Sequence, residues 1–183
     1  MFNWFRQSTL EPLSVSMAGA KLGDRVLIIG CTDPRLIAAL AAKAGLSGRA
    51  CAVDPDADVV EKAGRIVLRE GALVEASAAP LNALPFDADA FDLVILRDVL
   101  RDIDADPQPA VLQQAHRVVR PGGRIMAIET AARAGIFGAK ATSQPSPAGE
   151  ALTRAFASEG FAATRTLAER DGLIFVEGLK RNG

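Results

Sequence analysis

Short apolar runs of strand length alternate along this chain with longer stretches in which apolar residues recur every three or four positions. That alternation marks strand–helix–strand units, in which parallel strands are covered by helices on both faces. Arg25 to Gly30 (RVLIIG) reads as the first strand, and Pro34 to Ala44 as a helix closing at Gly45. Arg49 to Asp54 (RACAVD) reads as the second strand, followed by a helix from Ala57 to Glu70. Ala72 to Ser77 is a short third strand. The polar, proline-marked stretch Ala79 to Ala90 then crosses to a fourth, Phe91 to Leu96 (FDLVIL).

A helix from Pro109 to Val119 meets a strong stop at Arg120-Pro121-Gly122-Gly123 before the fifth strand, Arg124 to Glu129. Residues 130–150 are rich in Ala, Gly, Ser and Pro with little periodicity, and read as either a lid or a tolerated surface insertion. A last helix, Glu150 to Glu159, closes at Gly160. Two adjacent strands follow, Ala162 to Ala168 and Leu173 to Leu179, and Arg170-Asp171-Gly172 between them predicts a hairpin. The expectation is one α/β domain over residues 1–183, with an N-terminal segment at 1–20.

Composition narrows the function classes. The chain carries 21 Lys and Arg against 22 Asp and Glu, so no global field draws in nucleic acid or anionic lipid. Apolar runs such as Ile37 to Ala42 fall far short of a membrane span, and the N-terminus lacks a signal-peptide pattern, so a cytoplasmic protein is expected. Cys31 and Cys51 have no CxxC spacing and His116 is the only histidine, which leaves no zinc set; both cysteines read as small buried hydrophobes. Phe2, Trp4 and Phe5 gather aromatic surface at the N-terminus. They could cap a cleft, dock on the domain's own core, or contact a protein partner or a second copy.

Several pieces in order resemble the class I S-adenosylmethionine-dependent methyltransferases, in particular the type 11 and ubiquinone/menaquinone-biosynthesis group. They are Gly23-Asp24-Arg25-Val26-Leu27 leading into Ile29-Gly30-Cys31, Val53-Asp54, Leu84-Pro85-Phe86, Phe91-Asp92, and Arg117-Val118-Val119-Arg120-Pro121-Gly122-Gly123-Arg124. The resemblance implies a three-layer Rossmann-like sandwich of strand order 3-2-1-4-5-7-6 whose last strand is antiparallel. It also implies S-adenosylmethionine as cofactor and a small-molecule methyl acceptor. In the family the loop after the first strand (Gly30, Cys31, Thr32) lies along the methionine part, and Asp54 accepts from the ribose hydroxyls beside Pro55. Pro80 and Leu81 stand where the adenine amino group is read, and Arg97 faces the cofactor edge.

The loop after the first strand departs from the family's glycine-rich pattern. Where the family has Gly-Cys-Gly-Thr-Gly, this chain has Gly30-Cys31-Thr32-Asp33-Pro34, and the adenine-reading acid is replaced by Pro80. Asp33 and Pro34 suit a helix N-cap and first helical position, so the loop should satisfy itself, with Asp33 accepting a first-turn N–H. That arrangement places a carboxylate at the positive end of the helix, where an anionic ligand group would otherwise lie. No catalytic dyad is evident, but methyl transfer from a sulfonium chiefly needs the reactants held in line in a dry pocket.

Two readings of function stay open from the sequence. One is a small-molecule methyltransferase with a divergent loop. The other is an inactive methyltransferase-fold module for binding or scaffolding. A nicotinamide-dependent enzyme is disfavoured because no GxGxxG follows the first strand.

Overall fold

The computed structural model describes residues 12–101, 107–131 and 145–182. The chain runs α1 (Leu13–Ala18), β1 (Arg25–Ile29), α2 (Pro34–Ala44), β2 (Arg49–Asp54), α3 (Ala57–Arg69), β3 (Glu75–Ala78) and β4 (Phe91–Arg97). It continues through α4 (Pro107–Val118), β5 (Val119–Thr130), α5 (Pro147–Ser158), β6 (Ala162–Arg170) and β7 (Leu173–Leu179). The strands form one sheet in the order β3-β2-β1-β4-β5-β7-β6, as the family resemblance implies. β1 to β5 pair in parallel; β7 is antiparallel to both β5 and β6.

The near-continuous apolar character of β1 and β4 follows from burial on both faces. Along β1, Leu27 and Ile29 enter one core cluster while Val26 and Ile28 enter the other, because successive side chains of a strand point to opposite faces. The first cluster gathers side chains from α4 and α5, including Leu112, Ala115 and Phe156; the second gathers α1, α2 and α3, including Val15, Leu40 and Val67. Both cysteines lie in this core as free thiols, and burial raises Cys31 to about 12 and Cys51 to about 11. His116 packs edge-on against Phe161 at 4.9 Å, and burial lowers its pKa, in keeping with a packing role.

The helix ends follow local chemistry. Asp33 caps α2, its Oδ1 accepting the Leu36 N–H at 3.1 Å, and Pro34 occupies the first turn. Replacing Asp33 by Ala should therefore cost about 1 kcal/mol of stability, and Asp33→Asn, which keeps an acceptor oxygen, should retain most of it. Thermal denaturation of the two variants checks this. The β6–β7 hairpin turns through Asp171 and Gly172, both at positive φ (55° and 75°), the pairing of signs that a tight hairpin loop requires.

Several boundaries differ from the sequence reading. The third strand begins at Glu75 rather than Ala72, because the Ala72 N–H bonds back to Val67 O at 3.2 Å and keeps that stretch on α3. As an edge strand β3 pairs only with β2, starting at Cys51↔Glu75. The fifth strand begins at Val119, not Arg124. Val119 pairs with Phe91 and Arg124 with Leu93, so the Arg120-Pro121-Gly122-Gly123 stop is absorbed as an irregularity within the strand. α4 correspondingly spans Pro107–Val118 instead of Pro109 to Val119.

α5 starts at Pro147, earlier than the expected Glu150, because Ser146 caps it by accepting the Gly149 N–H at 3.2 Å. α1, within the N-terminal segment, was not expected. It is held by the guanidinium of Arg124, which donates to Ala18 O at 2.7 Å. The aromatic residues Phe2, Trp4 and Phe5 and most of the 130–150 stretch lie outside the described residues.

Candidate functional site at the carboxyl ends of the strands

At the end of β1 the chain turns through Gly30 at φ 94°, and its N–H donates to Val53 O at 2.8 Å. A Cβ on Gly30 would stand 2.4 Å from the carbonyl oxygen of Arg97, so β1 and β4 approach here as only glycine allows. The next residue, Cys31, donates its N–H to Asp54 Oδ2 at 2.8 Å, and Asp54 Oδ1 accepts the Asp56 N–H at 3.0 Å. The Asp54 carbonyl accepts from Ala79 N–H at 3.1 Å. Asp54 thus binds the loops after β1, β2 and β3 into one corner. It uses two of the roughly four lone-pair positions of its carboxylate and keeps the others.

The remaining sequence-derived residues occupy the same edge. Thr32 and Pro55 are exposed, Pro80 is exposed in a turn closed by the Ala83 N–H on its carbonyl, and Leu81 packs partly buried against the first core cluster. Leu84 is buried and Phe86 meets Phe91 edge-to-face at 5.1 Å, so this pair packs the core.

Arg97 and Asp98 do not lie on a solvated helix face, the commoner fate of such alternating charges. Arg97 is the last residue of β4 and its side chain is only 13% exposed. Its Nε stands 3.6 Å from Asp33 Oδ2 without a hydrogen bond, while its NH1 pairs with the Asp98 carboxylate and donates to Ile128 O at 3.2 Å. Asp98, at φ 53°, accepts from the N–H of Thr130 at 2.5 Å and from its hydroxyl at 2.9 Å. Positive φ at an Asp is tolerable, and here its side chain clamps the ends of β4 and β5 together.

One acid at this edge was missed by the sequence reading. Glu129, next to last in β5, is 3% exposed, and its two oxygens accept the backbone N–H groups of Leu100 (3.1 Å) and Arg101 (3.2 Å). Burial pushes its carboxyl up to about 7, the backbone donors pull the other way, and the charge of Asp98 adds to the rise. The signal was present: an acid ending the apolar run Ile125-Met126-Ala127-Ile128, as Asp54 ends Ala50-Cys51-Ala52-Val53.

Residues 26–123, more than half of the chain, match the family model of the methyltransferase domain. The chain belongs to that family. Among its relatives are the ubiquinone/menaquinone biosynthesis C-methyltransferase of Cupriavidus taiwanensis, 28% identical over 63% of this chain and 47% of that one, and the demethylmenaquinone methyltransferase of Bacillus subtilis, 30% identical over 69% and 52%. The chain spans about half the length of these curated relatives. Among solved structures, an S-adenosylmethionine-dependent methyltransferase from Aquifex aeolicus superposes with a TM-score of 0.75 at 19% identity, over 90% of this chain and 86% of that one. The YcgJ protein of Bacillus subtilis gives 0.68 at 15% identity, over 93% and 97%. These likenesses carry the fold, and the family's cofactor is S-adenosylmethionine.

The edge of this methyltransferase domain fits the two halves of that cofactor unequally. On the nucleoside side, Asp54 retains acceptor capacity beside the tight Gly30 turn. On the methionine side, Pro34 has no N–H, the Leu36 N–H is taken by Asp33, and Asp33 and Asp98 place two carboxylates beside Arg97. A methionine carboxylate would meet the Asp33 carboxylate there rather than an open helix end. Among the described residues, no group of His, Cys, Asp and Glu could hold a metal ion, and no helix is long and apolar enough to cross a membrane.

Proposed function

We propose that this chain transfers a methyl group to a small molecule, with S-adenosylmethionine held mainly through its nucleoside half. The observation that carries this reading is the Gly30–Asp54 corner, in which a buried acid keeps free lone pairs at the end of β2. Asp54 and Pro55 would hold the ribose side. Gly30, Cys31 and Thr32 would pass along the methionine part, Pro80 and Leu81 would flank the adenine, and Arg97 would close the cofactor edge. The cofactor supplies an electrophilic methyl on a sulfonium, so the protein's task is to orient the acceptor and exclude water.

A second reading, a binding or scaffolding module that has given up the cofactor, is favoured by the Asp33 cap and the Arg97 pairing, which close the loop without any ligand. Calorimetric titration with S-adenosylhomocysteine separates the two. Each missing donor costs on the order of 1 kcal/mol, so a dissociation constant of roughly 0.1 to 1 mM is expected. Adenosine alone should bind within about tenfold of that value, because the nucleoside carries the contacts. At about 5 mM the ligand should add roughly 1 to 2 kcal/mol of stability. Absence of heat and of any melting shift at several millimolar would establish the module instead.

A further inference from the structure

At the outer edge of the sheet, where α3 lies beside β3, is an apolar recess of about 210 Å³. It is floored by Ile37, Ala52 and Val67 and rimmed by Gly64, Leu68 and Leu73, and every side chain that lines it is apolar. Leu68 and Leu73 are 69% and 72% exposed, two of the four large hydrophobic side chains that stand in solvent among the described residues. Beside them β3 offers an open edge, since among the described residues it pairs only with β2. The Ala79 N–H turns inward to Asp54 O, so the alternate residues Ala76 and Ala78 turn their N–H and C=O groups outward. The one charged side chain of β3, Glu75, already pairs with Arg49.

Two observations bear on what covers this edge. Gly64 stands in the middle of α3, where glycine weakens a helix relative to alanine, yet a Cβ there would meet nothing within 4 Å. The chain's own packing does not require this glycine. What the missing side chain permits is the close approach of another helix. The second observation is charge: on the solvent side of the same flank, Arg65 pairs with Glu61 one turn earlier at 2.6 Å. A two-fold axis normal to the sheet would set two copies of α3 side by side and antiparallel, since such a contact brings the same patch of both chains together. With Gly64 at the closest approach, Glu61 of each copy comes opposite Arg65 of the other, about 3 Å apart along the helix axes. The patch is therefore complementary to itself in charge as well as in apolar surface.

We infer that this edge is a two-fold interface between two copies of the chain. The β3 strands pair antiparallel through Ala76 and Ala78, the α3 helices pass closest at Gly64, and Leu68 and Leu73 of both copies close the two apolar recesses. The seven-stranded sheet continues across the axis. Association does not depend on the cofactor.

Sedimentation of the full chain over a range of concentrations tests this. The chain should form a dimer with a dissociation constant of about 10 µM or tighter. Leu68→Glu combined with Leu73→Glu removes four apolar side chains from the contact and should weaken it roughly 100-fold or more. Both positions are exposed, so the melting temperature at low concentration should hold. Gly64→Gln separates fold from interface. Glutamine is the better helix former, so the monomer should melt no lower, while association should weaken about tenfold or more.

The charge test singles out a second copy as the occupant. Glu61→Arg and Arg65→Glu should each associate about tenfold more weakly than the wild type, and an equimolar mixture of the two should dimerise again as a heterodimer. No pairing within one chain produces that recovery. A chain that stays monomeric at about 100 µM overturns the proposal, whether residues 1–11 or a different protein takes the edge instead. A dimer indifferent to the leucine and Gly64 variants overturns it as well, as does a mixture that associates no better than its components.

Discussion

Gly30→Ala should destabilise the protein by about 3 to 5 kcal/mol, through backbone strain and overpacking combined. The φ of 94° strains any L side chain, and the added Cβ would lie 2.4 Å from Arg97 O and 3.0 Å from Val99 Cγ2. The first of those is backbone and cannot swing aside, so β1 and β4 would have to part at their carboxyl ends. That movement also pulls Cys31 N–H from Asp54, which is why the loss should exceed the local strain. Gly71→Ala is the control: φ is 76° there, but nothing lies within 4 Å of the added atom. It should cost only about 1 kcal/mol, from strain alone. Chemical denaturation of both variants measures the difference; equal costs would mean that the β1–β4 approach is not tight.

Between pH 4.5 and 7 the wild-type protein should lose about 3 kcal/mol of stability that Glu129→Gln does not lose. The ordinary value of 4.5 applies to Glu129 in the unfolded chain and about 7 in the folded one, so the native state holds the extra proton across that window. A group whose pKa is raised by folding contributes stability that is fully present below its unfolded value. That stability is lost as pH rises through the folded value. Asp92 is unlike it: burial disfavours its charge, but Arg25 and Arg120 hold its carboxyl down at about 2, so its contribution is lost only well below this window. Unfolding free energies from urea titrations at pH 5 and pH 8 give the comparison. Parallel pH dependence in the two proteins would show that Glu129 is solvated rather than buried.

The strongest local signals in the chain carried through to the structure because each is complete within a few residues. Asp33-Pro34 needs only the next turn of helix to act as a cap, and Asp171-Gly172 needs only its own φ angles to reverse the chain. The all-apolar runs at Leu27 to Ile29 and Leu93 to Leu96 likewise state burial on both faces without reference to their neighbours. Where a boundary depended on a partner strand, local reasoning placed it wrongly. Val119 joins β5 because Phe91 lies opposite it, and Ala72 is kept from β3 by α3.

The candidate site divides the same way. Gly30 and Asp54 were legible from strand ends and from family resemblance, whereas the environments of Arg97, Asp98 and Glu129 were not. Asp98 meets Thr130 across 32 positions of sequence and Glu129 meets Leu100 across 29, contacts that exist only because parallel strands bring their carboxyl ends to one edge. The sequence alone therefore determined the layers, the caps and the residues available at that edge. Only the tertiary structure decided which of them are buried and charged together, because desolvation and pairing depend on what the rest of the chain lays over each group.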